Sequence, residues 1–325
     1  MNRFVRRILG AVLLGVLVYG GFVLYVGLRE ISESLERFEW TAFAVALVLA
    51  TSNYLFRFAK WQYYLARLDV RGIQAFDSLL IFLSGFVLTI TPGKVGEVFK
   101  SAVLAKTHDV PAERTAPIVV AERLTDAIGV IALIVIGSGA FAGGLGWAFA
   151  GTFAVCLGVA FIIWERPALA VIGWCEARSG LLGRIGPKFR VAFRSLRVVA
   201  GPTALLWPTA LSVVAWACEG VALYVLLRGF GAPVPFGVAV FFYSTATLAG
   251  ALIPVPGGLG VTEAMIQEQL VQLSAVPPGD ATAAMILVRF ATLWWAVLVG
   301  FVALALLRLR YPEKLGATSP ITEAS

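Results

Sequence analysis

Two apolar stretches of this chain are broken by the same kind of insertion, and an ordinary membrane helix does not survive it. Pro92-Gly93-Lys94-Val95-Gly96 interrupts one hydrophobic segment, and Pro256-Gly257-Gly258-Leu259-Gly260 interrupts another 164 residues later. Proline removes an amide donor and glycine supplies no side chain, so a helix unwinds at both places. Unwound backbone inside a bilayer persists only where protein buries it or water reaches it. Gly/Pro-broken segments at corresponding positions of two halves are the sequence mark of a transport site.

Composition places these breaks in a membrane. With 59% hydrophobic residues, 14% charged residues and a mean hydropathy of +0.88, the chain reads as a polytopic membrane protein, which excludes a soluble domain. The net charge of +7 lies mostly in loops and points to membrane orientation and anionic headgroups, with no nucleic acid as partner. Cys156, Cys175 and Cys218 form no C-x-x-C pair, and His108 is the only histidine. No disulfide, metal site, cofactor or His-based catalysis is therefore expected. The arginines at 3, 6 and 7 precede about 21 apolar residues, too long a core for a signal peptide, so this segment reads as an uncleaved anchor helix.

Full spans are expected at roughly 8–28, 41–60, 117–139, 147–164, 203–228 and 281–307, with the broken segments at about 76–106 and 236–274. The acidic 29–40 loop suits the outside, and the 60–75 loop the inside. The 165–200 loop carries seven Lys/Arg residues against Glu165 and Glu176, which makes it cytoplasmic. Both termini then lie in the cytoplasm, and the two broken segments enter from opposite faces. The expectation is an all-α polytopic membrane protein of about six full transmembrane helices plus two re-entrant hairpins in an inverted repeat. Its single domain spans 1–310, with repeat units of about 41–139 and 203–307, and 311–325 is a disordered cytoplasmic tail. Flanking charges follow the same symmetry: Arg123 lies 31 residues after Pro92 and Arg289 lies 33 after Pro256, while Arg57 and Glu219 lie 35 and 37 residues ahead of them. Gly143-Gly144-Leu145-Gly146 repeats part of the second motif in an expected external turn. The 187–200 stretch reads either as a cationic helix on the inner leaflet or as a solvated basic loop.

Charges within spans are costly and face a cavity or a partner. The candidates are Lys94, Glu97 and Lys100 at the first break, then Glu122, Arg123 and Asp126, then Glu263 and Glu268 after the second, and Arg289 with Arg57 and Glu219. A helix resuming near Val95 would offer free amides to an anion, and Lys94 adds a full charge. Gly257, Gly258 and Gly260 would let backbone approach a ligand from the other side, and Arg123 and Arg289 could hold phosphate oxygens bidentately. Structural pairing is the competing account of each: Glu122 and Asp126 share a helical face, and Glu97 and Glu263 could be helix-start carboxylates. The substrate-binding set is Pro92, Gly93, Lys94, Gly96, Glu97, Glu122, Arg123, Asp126, Pro256, Gly257, Gly258, Gly260, Glu263 and Arg289, with no catalytic residue. No Walker loop is present.

These residues resemble the flippase-like family named for the transmembrane part of lysylphosphatidylglycerol synthase. The resemblance rests on Thr91 through Glu97, Glu122 through Asp126, Pro254 through Glu263, and Arg289 within Leu287-Val288-Arg289-Phe290, and covers about residues 8–308. It implies a domain that moves a lipid between leaflets. The chain stops at Ser325, so the resemblance does not carry the aminoacyl-transferase activity. Lys94 departs from the small residue expected there, which shifts the contact to the backbone. The expectation is an inner-membrane translocase for a phospholipid or other lipid-phosphate. A membrane enzyme acting on a polyprenyl-phosphate-linked substrate, with Glu97, Asp126 or Glu263 as base, and a scaffold of a lipid-synthesis complex are the alternatives. Anionic or phosphate-bearing membrane lipids are the expected partners, with a soluble or membrane transferase as a possible further one.

Overall fold

The computed structural model describes residues 3–90, 97–138, 149, 153, 165–176, 181–253 and 255–315, and among these there is no strand. The chain is an all-α polytopic membrane protein. It begins with α1 (Arg3–Val26), bent by 92° into the short amphipathic α2 (Leu28–Glu36) at Gly27, whose φ of 105° few other residues adopt. The acidic 29–40 stretch is thus mostly helix, where a loop was expected: Ile31 and Ser34 supply a buried face, and Arg37 pairs with Asp280.

A first unit follows: α3 (Trp40–Arg67), α4 (Ala75–Ser84, continued by a 3₁₀ turn to Leu88), the first break, α5 (Phe99–His108), the one-turn α6 (Ala112–Thr115) and α7 (Pro117–Ser138). Then come α8 (Glu165–Glu176) and α9 (Leu181–Val199). The second unit is α10 (Pro202–Gly229), α11 (Phe236–Leu252), the second break, α12 (Val261–Glu268, ending in a π segment to Leu273), and α13 (Pro278–Arg289), which runs through a π segment, Phe290–Trp294, into α14 (Trp295–Arg310). One further turn, α15 (Pro312–Leu315), places order where the tail was expected to be disordered, because Leu315 is buried and Lys314 pairs with Asp109 at 3.0 Å. Residues 165–200 hold α8 and α9 rather than one long loop, and Arg190 clasps Glu176 across them at 2.7 and 2.5 Å.

By length and apolarity α3, residues 203–229 of α10, and α13–α14 can each cross a membrane among the described residues, and the bent α1–α2 pair makes up to four. The expected 117–139 span is α7, which is 22 residues long but carries Glu122, Arg123 and Asp126. The expected 147–164 span and the 143–146 turn lie outside the described residues, save positions 149 and 153 within the span.

The two sets of helices pack on each other. Their first helices, α3 and α10, are both 28 residues long and pack on each other. Each broken hairpin packs its first arm on the last helix of the other unit: α11 lies on α7, and α4 lies on α14. Glycines permit both crossings. A Cβ at Gly137 of α7 would lie 2.8 Å from Phe241 Cβ, and one at Gly300 of α14 would lie 2.6 Å from the Val87 amide. Close approach through small residues is how helices gain contact in lipid, where apolar burial alone supplies no drive.

Candidate functional site

The second break is ordered, and its geometry depends on glycine. After Ile253 the chain is extended at Val255, turns through Pro256–Gly258, and re-enters helix at Val261. Gly257, Gly258 and Gly260 have φ of 60°, 70° and 87°, a region that side chains disfavour. Arg289 holds this turn in place. Its Nη2 donates to the Gly257 carbonyl at 2.8 Å and its Nε to Glu263 Oε1 at 2.6 Å. Glu263 in turn accepts the Gly260 amide at 2.7 Å on its other oxygen, satisfying an orphan donor of the first helical turn. Tyr19 of α1 donates to Glu263 at 3.4 Å and accepts from Trp294 Nε1 at 2.9 Å, which ties the anchor helix to the same knot.

Of the first break, Pro92, Gly93, Lys94 and Gly96 lie outside the described residues. Beyond them Glu97 and Val98 form a tighter helical turn that runs into α5 at Phe99, while Val95, where the helix was expected to resume, lies outside the described residues. Here the charges form a wider net. Lys60 Nζ, buried on α3, donates to Asp126 Oδ1 and to Ser212 Oγ, both at 2.6 Å. Lys100 Nζ donates to Glu122 Oε2 at 2.5 Å and sits 4.6 Å from the centre of the Trp61 ring. Glu122 is thereby consumed by a lysine. Asp126 pairs with Lys60 and Arg123, not with Arg289. Arg123 Nη2 lies 3.0 Å from Glu97 and 3.1 Å from Asp126. Arg57 is held more loosely, 3.9 Å from Glu97 and 4.0 Å from Asp126, beyond hydrogen-bond reach, with its guanidinium 5.4 Å from the Phe86 ring centre.

Between the two nets is a cavity with an open mouth. The first unit contributes Tyr54, Arg57, Phe86, Thr89, Glu97 and Arg123 to its wall. The second contributes Trp216 and Glu219 from α10, Tyr243, Thr247, Gly250 and Ala251 from α11, then Gly257, Gly258, Thr262, Arg289, Thr292, Leu293 and Ala296. Of the residues singled out from sequence, Arg57, Glu97, Arg123, Glu219, Gly257, Gly258 and Arg289 therefore meet in one place. Glu122, Asp126, Pro256, Gly260 and Glu263 stand behind the wall as pairing or turn-forming groups.

Several wall donors have no acceptor among the described residues: Trp216 Nε1, Thr89 Oγ1 and Arg123 Nε are buried without one. Buried donors are ordinarily satisfied, so such a cluster marks where an acceptor belongs. The aromatic members escaped the sequence reading, although a signal existed. Tyr54 precedes Arg57 by three residues and Trp216 precedes Glu219 by three, one helical turn apart on the matched helices α3 and α10. Among the described residues no group of three or more His, Cys, Asp or Glu is arranged to hold a metal ion.

The sequence profile described as the lysylphosphatidylglycerol synthase TM region matches residues 12–300. A protein described as a UPF0104 membrane protein, from Methanothermobacter thermautotrophicus, is 23% identical over 331 residues, covering 94% of this chain and 98% of that one.

Proposed function

The chain belongs to the lysylphosphatidylglycerol synthase TM-region family, and from that premise we propose that it moves an anionic lipid headgroup between leaflets through the cavity between its two units. One observation carries the reading: a loosely held guanidinium on α3 and a second on α7, which shares Glu97 and Asp126 with it, converge with buried donors that have no acceptor among the described residues. A phosphate supplies several acceptor oxygens and a charge, and arginine's planar fork suits it. Acyl chains would stay in lipid at the open mouth while the headgroup passes the polar wall.

The reciprocal packing of α11 on α7 and α4 on α14 supports two units related by a twofold pseudo-axis, as an inverted repeat requires. In that arrangement the broken hairpins are re-entrant from opposite faces, and the basic 165–200 segment and both termini face the cytoplasm of an inner membrane. The enzymatic alternative draws less support. Glu97, Asp126 and Glu263, the carboxylates that would act as bases, each have a cation within 4.0 Å.

The test uses proteoliposomes holding a headgroup-labelled phosphatidylglycerol, with outer-leaflet label destroyed by a membrane-impermeant reductant. The wild-type chain should expose inner-leaflet label far faster than protein-free vesicles do. Arg123→Gln should abolish that acceleration in folded protein. A folded wild-type protein that adds nothing to the protein-free rate overturns the proposal.

A further inference from the structure

One buried carboxylate in the cavity wall has no lysine or arginine nitrogen within 4.0 Å among the described residues. Glu219 on α10 is 6% exposed. Tyr243 on α11 donates its hydroxyl to Oε2 at 2.6 Å, and Oε1 has no partner among the described residues. Glu97, Glu122, Asp126 and Glu263 differ: each has a lysine or arginine nitrogen within 4.0 Å. The ionisable groups around Glu219 are Arg57 and Tyr54 on α3, Asp126 on α7, Tyr243 on α11, Arg289 on α13 and Cys218 beside it. Both arginines act on it at a distance, but neither forms an ion pair with it. Arg57 leans toward Glu97 and Asp126, and Arg289 is committed to Glu263 and the Gly257 carbonyl. Glu219 and Arg57 also hold matched places on the first helices of the two units, with opposite charge.

We propose that Glu219 is a proton-binding site, and that a proton on its carboxyl and an anionic headgroup beside Arg57 are taken up together. The inference rests on reading the cavity as an anion site. Its chemistry is one reversible bond: a proton adds to Oε1, while Oε2 keeps the tyrosine hydrogen bond. An intramembrane carboxylate that lines a polar cavity is where membrane proteins place such relays. With Glu219 ionised, the wall holds Arg57, Arg123 and Arg289 against Glu97 and Glu219. Protonation removes one negative charge next to the anion's position, so each ligand favours the other, and by linkage the coupling is reciprocal. A phosphodiester headgroup and one proton enter as a neutral pair, which avoids moving net charge through the low-dielectric interior.

The probe is short-chain dihexanoylphosphatidylglycerol, whose phosphodiester keeps one charge throughout the range used, titrated into the full chain in detergent. Between about pH 5.5 and 8.5 the wild-type affinity should weaken as pH rises, by up to about tenfold per unit for one linked proton. Glu219→Gln should bind with an affinity independent of pH, and Tyr243→Phe should keep the pH dependence with a displaced midpoint. A Glu219→Gln protein that retains the wild-type pH dependence overturns the proposal. A second measurement on the wild-type chain needs neither variant nor lipid. Dicyclohexylcarbodiimide, which enters apolar protein and reacts with protonated carboxyl groups, should modify Glu219 at neutral pH and spare the four ion-paired carboxylates, as read by peptide mass. Modification that misses Glu219, or strikes all five alike, also overturns it. If phosphatidylglycerol binds at no pH, the anion reading fails by itself, and the carbodiimide result alone decides Glu219.

Discussion

Arg123 and Arg289 occupy matched places in the two units, yet they are held in different ways. Arg289 is saturated: it donates to a carbonyl of the second break and to a carboxylate that caps the helix beyond it, and its side chain is 8% exposed. Arg123 has a 26% exposed side chain, shares Glu97 and Asp126 with Arg57 and Lys60, and keeps a buried Nε without an acceptor among the described residues. One arginine is a fastener and the other an open hand. Similar spacing from a Pro-Gly motif therefore does not make for a similar role, and partner geometry separates the two arginines.

The sharpest way to break this comparison is to remove each arginine in turn. Arg289→Ala leaves Glu263 buried and unpaired and frees the Gly257 carbonyl, which should cost about 3–5 kcal/mol. Thermal unfolding in detergent should register it as the largest loss among the substitutions considered. Arg123→Ala leaves Asp126 with Lys60 and should cost clearly less. Equal losses would dissolve the distinction.

The equivalence of the two units, as opposed to their arginines, is probed by the crossing glycines. Gly137→Ala and Gly300→Ala both force contacts under 3.0 Å, so each should destabilise by about 1–3 kcal/mol. Gly300→Ala should be the worse, because its new methyl meets the Val87 backbone whereas Gly137's meets the Phe241 side chain. A silent Gly137→Ala beside a damaging Gly300→Ala would mean that only one crossing is tight, and the reciprocity would be lost.

Much of this was legible in the chain itself. Proline and glycine inside an apolar run gave away the second break, and the costly in-span charges gave away Arg57, Glu97, Arg123, Glu219 and Arg289 as residues that need a cavity or a partner. Which of the two each had was not legible. Lys60 and Lys100 reach Asp126 and Glu122 from other helices, so the consumption of those carboxylates is a tertiary fact. Periodicity could not separate Tyr54, Trp216 and Tyr243 from ordinary membrane aromatics. Helix α2 was hidden because four glutamates looked like a loop, although Ile31 and Ser34 share its buried face.

Arg57 sharpens the comparison from the other side. Its nearest carboxylate oxygens are 3.9 and 4.0 Å away and it makes no hydrogen bond among the described residues. Arg57→Gln leaves Glu97 with Arg123 and Asp126 with Lys60, and should therefore cost clearly less stability than Arg289→Ala. It should nevertheless weaken phosphatidylglycerol binding at every pH, whereas Glu219→Gln should change only the pH dependence. A stability loss rivalling that of Arg289→Ala would make Arg57 a fastener too.

The smallest effect lies at the end of the first hairpin, where the second has no counterpart histidine. His108 closes α5, its Nε2 lies 3.5 Å from the Tyr311 hydroxyl, and Tyr311 donates to Asp77 at 2.7 Å while Arg310 pairs with Asp77 at 2.6 Å. Burial lowers the proton affinity of the imidazole; Asp77 opposes this and Lys314 adds to it. With its folded pKa below the unfolded value, His108 contributes nothing to pH dependence while both states are neutral. As pH falls through the unfolded value, near 6.5, the unfolded chain takes the proton first, so stability drops until the folded pKa is passed. Thermal unfolding from pH 7.5 down to about 5 should thus show a shallow decline, and His108→Asn should flatten part of it. An identical slope in that variant would assign the decline to other groups and would leave this clamp insensitive to its histidine.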